Sequence, residues 1–245
     1  MKALLVTSEV TFVPDNYNQL VVGLACNPCI TGLLVLRNGS VRLLGRALGL
    51  MLMGARQIGA TLLSNQMGAS SRKREQAYNA VGKQVWYAKT INDASVVSLV
   101  KDNAIDLLVN ARTRFMYQQT ILDAPRLGCI NIHHGLLPEQ RGTMCDLWSI
   151  SERIVTGFSV HKMNNKIDDG ELIQVVPTSD GHESSYPEYL LRSSKQERDV
   201  LTGILADISE RDAILGRTNE PVVKALHRMD PTWRQLHSFK KVVEI

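Results

Sequence analysis

The 245-residue chain is short of cysteine, of net charge and of long uncharged runs, and each shortage excludes something. Four cysteines in a chain this long do not make the disulfide framework of a small secreted domain. Cys26 and Cys29 form a single CNPC that lacks the second half of a four-ligand zinc site, and Pro28 suits a turn between a helix and a strand, so the pair reads as structural. Cys129 and Cys145 are expected to be reduced and outside the chemistry. A net charge of +4 permits an anionic substrate without demanding nucleic acid.

The most apolar stretch, VRLLGRALGLMLMGARQIGATLL, has only nine uncharged residues between Arg46 and Arg56, whereas a membrane span needs about 20. It reads as one long packed helix between Val41 and Met67; a homodimer face or a wall for an apolar acceptor are the sharper alternatives. No charged segment followed by an apolar one opens the chain. Met1 to Ser8 reads as a buried strand, so a cytoplasmic protein is expected. That strand runs into SEVTFVPDN, with no G-x-G-x-x-G before the next helix. The backbone there cannot approach a pyrophosphate closely, and an NAD role is set aside.

What the chain does have is alternation. KALLVTS, ITGLLVLRN, QVWYA and IDLLVNA are short apolar runs, separated by helical stretches from about Asp15 to Cys26, with Asp15 able to cap the first, through the apolar helix, and from Asn92 to Asp102. The basic run SSRKREQ reads as a solvated loop that could attract a phosphate. Apolar strands between helices imply a parallel sheet covered on both faces, an α/β fold of Rossmann-like, doubly wound type with a mostly parallel sheet and a short C-terminal extension. The expected boundaries are a catalytic domain over 1–178 and a helical extension over 179–245, where Tyr186 to Arg211 reads as one or two helices.

The most informative stretch is CINIHHGLLPEQRG, Cys129 to Gly142, followed by KIDDG at Lys166 to Gly170. Gly128 to Ile132 is a strand, so Asn131 and His133 share one face at the period of two, and a carboxylate, Asp168, follows 35 positions after His133. Leu136, Leu137 and Pro138 stiffen the turn that leaves the strand, and loops at the carboxyl ends of strands are where α/β proteins keep their chemistry. A metal reading of His133, His134 and Asp168 is weak, because adjacent histidines on an extended segment diverge. His161, alone on the strand GFSVHKM, reads as structural. Asp169 reads as a loop-shaping neighbour.

The runs DLLVNARTRF, ILDAPRLGCINIHHGLLPEQRGTMCDLWSI and TGFSVHKMNNKIDDGELI together resemble the catalytic core of the folate-dependent formyltransferases, continuously from about Ile105 to Val175. The resemblance implies a catalytic triad of Asn131, His133 and Asp168. It implies N10-formyltetrahydrofolate as co-substrate, with the backbone of Asn110, Ala111, Arg112, Thr113 and Arg114 and the loop at Asp168 reading the pterin. The family's usual small or apolar residues give way to ARTR at 111–114. His134, where many relatives carry proline, is a candidate wall for the acceptor, and Arg141 either braces its loop or touches acceptor.

The implied reaction is formyl transfer to a primary amine of a small molecule. Asn131 would donate to the developing oxyanion, His133 would serve as general base or as a second donor, and Asp168 would orient the imidazole. The chain lacks the glycine- and asparagine-rich phosphate loop of the purine-synthesis enzyme after its first strand. It has too few residues after the core for the barrel of the tRNA enzyme, which disfavours a nucleic-acid partner. PTWRQLHSFKK resembles the ending of sugar N-formyltransferases, which favours an amino-sugar acceptor. A formyltetrahydrofolate hydrolase, a tRNA-type formyltransferase and a non-catalytic folate-binding protein are the alternatives.

Overall fold

A computed structural model of the chain describes residues 1–11, 14–39, 41–52, 56–66, 69–221 and 225–245. The first half winds strand and helix as the apolar runs require: β1 (Ala3–Ser8), α1 (Pro14–Gly23), β2 (Ile30–Leu36), α2 (Val41–Leu52), α3 (Arg56–Gln66), α4 (Ala69–Ala80), β3 (Gln84–Ala88), α5 (Ala94–Asp102) and β4 (Leu107–Asn110). There follow α6 (Gln119–Leu122), β5 (Cys129–His134), β6 (Gln140–Gly142), α7 (Cys145–Ser151), β7 (Thr156–Lys162), β8 (Leu172–Ser179), α8 (Tyr186–Arg211), β9 (Leu226–Arg228) and α9 (Trp233–Phe239). Seven strands form the main sheet in the order β3-β2-β1-β4-β5-β7-β8. The pairs from β3 through β5 are parallel, and β7 and β8 are antiparallel additions. A Rossmann-like, mostly parallel α/β fold is therefore the observed one.

Period-two alternation sends successive strand residues to opposite faces. Ala3, Leu5, Leu33, Val35, Leu107, Val109, Ile130 and Ile132 pack against Leu20 of α1, Leu24 just after it, Tyr78 of α4 and Leu201, Ile204, Leu205 and Ile208 of α8. Leu4, Val6, Leu34, Leu36, Leu108 and Cys129 pack on the other face against Val96 and Val100 of α5 and Ile121 of α6. Each such fully buried aliphatic side chain contributes about 1.5–3 kcal/mol. The helix placed by sequence in an extension from 179 onward thus shares the central core. α8 is a single 26-residue helix, capped by Ser185 accepting from the Glu188 N–H.

Two expectations are corrected. The apolar run from Val41 to Met67 is not one helix but two, α2 and α3, packed on each other; the junction at 53–55 and residue 67 lie outside the described residues. Folding back buries Ala47, Leu50 and Leu62 together with Val10, which one straight helix could not do. Gly59 lets the helices meet, since a Cβ there would strike Met51 and the Ala47 carbonyl. Leu44, Leu48 and Leu52 of α2 stay exposed at 38, 50 and 89%. No helix among the described residues is long and apolar enough to cross a membrane.

The second correction concerns the basic run at 70–76. It belongs to helix α4, and its Arg74 is fully buried. Nη1 of Arg74 donates to the Ser8 carbonyl at 2.6 Å and Nε to Asn18 Oδ1 at 3.4 Å, and the guanidinium lies over the Tyr17 ring. Burial lowers its pKa to about 10. A charge of this kind is found inside only where oxygens and an aromatic face replace water. The turn after β1 is therefore braced by Arg74 from below.

Candidate active site

The order of the sheet puts its switch point between β1 and β4, where the chain changes direction across the sheet. The carboxyl ends of β4 and β5 open beside it, the usual place for a site in an open α/β sheet. Register then aligns three polar residues in one row. Asn110 of β4 pairs with Asn131 of β5, and Asn131 pairs with His161 of β7. Side chains opposite each other on adjacent strands stand about 5 Å apart, so the row is in contact across all three strands.

Hydrogen bonds fix the orientation of each member. The Thr113 N–H donates to Asn110 Oδ1 at 3.0 Å, which leaves Asn110 Nδ2 to donate to Asn131 Oδ1 at 2.9 Å. Asn131 Nδ2 lies 3.1 Å from His161 Nε2, and His161 Nδ1 lies 2.6 Å from the Lys162 carbonyl. A carbonyl only accepts, so His161 carries its proton on Nδ1 and presents a lone pair at Nε2 to the Asn131 amide. Burial, together with the neighbouring His133, lowers the His161 pKa to about 4, which keeps the ring neutral near neutral pH. The second amide hydrogen of Asn131 remains for an incoming oxygen. His161 reads from sequence as structural; the structure sets it beside Asn131 and Asp168.

His133 is buried, with Nε2 2.7 Å from the Gln140 carbonyl and Nδ1 3.4 Å from Asp168 Oδ1. Both neighbours are acceptors, so the protonated ring satisfies both and the neutral ring only one. The same Asp168 Oδ1 lies 3.7 Å from His161 Nε2, while Asp168 Oδ2 accepts the Gly142 N–H at 2.9 Å. Asp168 has a φ of +50°, a left-handed conformation uncommon for a residue with a side chain. Gly170 ends its turn, where a Cβ would strike the Lys162 carbonyl. The three residues expected from sequence, Asn131, His133 and Asp168, thus meet at one place.

The other expected residues divide. Arg141 is a brace: Nε donates to the Pro138 carbonyl at 3.0 Å, Nη1 to Asp169 at 3.0 Å and Nη2 to the Asn219 carbonyl at 2.8 Å. This Arg141 bond holds the Asp169 carboxyl below the usual range. Among the segment after β4, Asn110 reaches the triad through its side chain. Ala111 is buried in the core. Arg112 turns inward to pair with Glu197 of α8, and Arg114 pairs with Asp230 at 2.8 Å on the surface.

His134 faces away from His133, as strand alternation requires, and lies between two carboxylates. Nδ1 is 2.9 Å from Asp146 Oδ2 and Nε2 is 3.2 Å from Glu197 Oε1. The Tyr186 hydroxyl donates to Asp146 at 3.0 Å, and the Ser193 hydroxyl to Glu197 at 3.0 Å. Burial opposes the charge on Asp146, but His134, the Leu147 N–H and Tyr186 together hold its carboxyl below the usual range. Burial and the Arg112 charge lower the His134 pKa. Sequence reading missed Asp146, Glu197 and Tyr186, since only the folded chain brings α7 and α8 to the back of β5. Among the described residues no cluster of His, Cys, Asp and Glu has the form of a metal site. The four cysteines are free, and burial pushes the Cys129 and Cys145 thiols well up, which makes them poor nucleophiles.

An amide, two imidazoles and a carboxylate at the mouth of a Rossmann-like sheet define an α/β protein equipped to stabilise an oxyanion and to handle a proton. The particular family follows from comparison: a profile described as formyl transferase matches residues 49–204, well over half of the chain, and the chain belongs to that family. A methionyl-tRNA formyltransferase from Blochmanniella pennsylvanica is 29% identical over 109 residues, 44% of this chain and 33% of that relative. The chain therefore spans about a third of the length of that curated relative. Among solved structures, a sugar N-formyltransferase from Shewanella sp FDAARGOS_354 shares the fold over 99% of this chain and 88% of its own, at a TM-score of 0.58 and 18% identity. A phosphoribosylglycinamide formyltransferase from Bacillus Halodurans does so over 88% and 99%, at a TM-score of 0.61 and 16% identity.

Proposed function

We propose that the protein transfers the formyl group of N10-formyltetrahydrofolate to a primary amine of a small-molecule acceptor, of the amino-sugar nucleotide class. The observation that supports this best is the convergence of Asn131, His133 and Asp168 beside the row Asn110–Asn131–His161. The amino-sugar class rests on the resemblance of Pro231 to Lys241 to the ending of sugar N-formyltransferases. The co-substrate fits the segment after β4 through backbone groups, because the side chains of Arg112 and Arg114 are turned to Glu197 and Asp230.

In this reading the amine attacks the formyl carbon, a new C–N bond forms, and the formyl oxygen gains charge. Asn131 donates its second amide hydrogen to that oxygen, and its other two contacts hold it in place before the reaction starts; such a preorganised donor contributes about 3 kcal/mol. His133, which faces the Gln140 carbonyl through Nε2 and Asp168 through Nδ1, serves as general base toward the amine or, when Nε2 turns from Gln140 to the formyl oxygen, as a second donor. The bond from carbon to N10 then breaks, and the proton lost by the amine ends on N10. Asp168 compensates the imidazolium charge throughout.

The test is incubation of the purified protein with N10-formyltetrahydrofolate, with and without a panel of amino-sugar nucleotides. Formamido product that appears only with acceptor supports the reading. Acceptor-independent release of formate would assign a hydrolase, and co-substrate binding with no turnover would assign a folate-binding protein.

A further inference from the structure

The catalytic loop is held from outside the family match. Residues 212–221, which follow α8, return across the start of β8, where the Arg217 N–H donates to the Leu172 carbonyl and the Leu172 N–H to the Arg217 carbonyl, both at 2.8 Å. Two residues on, Asn219 is 7% exposed and its side chain enters the turn that carries Asp168. Its Nδ2 donates to the Asp168 carbonyl at 3.0 Å and to the Gly170 carbonyl at 2.9 Å, and its own carbonyl accepts from Arg141. One amide thus uses both hydrogens on two carbonyls of a single turn, and one of those carbonyls belongs to the residue that faces the imidazoles.

We propose that Asn219 is a positioning residue, which fixes the main chain of Asp168 so that its carboxylate sits between His133 and His161. Three observations carry this. The backbone of Asp168 is in the left-handed region, so the turn has a cheaper conformation to relax into if it is released. The Asp168 carboxylate stands at 3.4 Å from His133 Nδ1, at the outer edge of hydrogen-bond range, where a shift of a fraction of an ångström decides the bond, and at 3.7 Å from His161 Nε2, where its charge acts on that ring without a hydrogen bond. Buried carbonyls lacking a donor are costly, so a chain without the Asn219 amide moves to find others. Arg141 reports on the same clamp from the far side, because it bonds Asn219 and Asp169 with one guanidinium.

The test reads the histidines directly and needs no turnover, so its outcome is separate from that of the formyl-transfer reading. The ring nitrogen resonances of His133 and His161 are recorded by long-range proton–nitrogen NMR in the wild type, in Asp168→Asn as the reference for a lost carboxylate, and in Asn219→Ala and Asn219→Asp. Asn219→Asp keeps the volume but has no N–H to give. Both Asn219 variants are expected to move the two rings at least half of the way to the Asp168→Asn positions, with the His182 and His237 resonances unchanged. Rings that overlay the wild type overturn the proposal. Where neither variant folds, hydrogen exchange in the wild type decides: the Asn219 side-chain amide protons are expected to exchange at least about tenfold more slowly than those of an exposed asparagine such as Asn79, and equal rates overturn it. In an active preparation the proposal further expects kcat to fall with KM for the formyl donor changed little.

Discussion

His133 and His134 are consecutive residues of one strand, and each lies beside a carboxylate, yet their surroundings differ in kind. His133 faces a main-chain carbonyl and one carboxylate, with two amides and a neutral imidazole alongside. His134 faces two carboxylates, with a buried guanidinium behind one and a phenol behind the other. The first set leaves hydrogens pointing at a place where a substrate can stand; the second closes on itself. Strand alternation alone produced the division, and it shows that a histidine's role is read from the face it occupies before its neighbours in sequence.

That contrast can be broken from either side. The largest effect belongs to the front face: Asp168→Asn or His133→Ala is expected to lower kcat for formyl transfer by about a thousandfold or more, with an unchanged far-UV circular dichroism spectrum. Retention of wild-type turnover by either variant would remove these residues from the chemistry. On the back face the loss is one of stability. Glu197→Ala leaves Arg112 buried without its partner, and urea unfolding is expected to show a loss of about 3–5 kcal/mol; a loss under about 1 kcal/mol would mean that the cluster is solvated.

Asn131→Ala sharpens the front face further, with an expected fall of roughly 100- to 1,000-fold in kcat and a KM for the formyl donor within a few-fold of wild type. The smallest effect is on pH. His161 has a folded pKa lowered from 6.5 to about 4, so the unfolded chain binds its proton first and stability falls as pH drops from 6.5 towards 4. His161→Asn removes this contribution, and its urea midpoint should decline less steeply over the same interval. Parallel declines would place His161 in water.

The sheet was legible in sequence because its strands are continuous apolar runs, and a strand buried on both faces has to be one. The meeting of Asn131, His133 and Asp168 was legible because their spacing and the residues around them resemble a family core. What escaped was whatever depended on a partner distant along the chain. Arg74 looked like a solvated charge and Arg112 like a departure within the pterin-reading segment, and only folding brings Ser8 and Tyr17 to the one and Glu197 to the other. His161 looked like an isolated strand histidine because alternation gives the face of a strand but not its register against a neighbour. The split of the apolar run into α2 and α3 escaped because a helical period is the same whether the helix continues or turns back.

The row from Asn110 through Asn131 to His161 crosses three strands at a single level of the pleat. A slip of β7 by one residue against β5 would set Val160 opposite Asn131 and drive His161 into the packed interior. No half-built form of this row exists between the two alignments. Correct strand pairing and chemical competence are therefore acquired in the same folding event, and a misaligned molecule is silent as well as unstable.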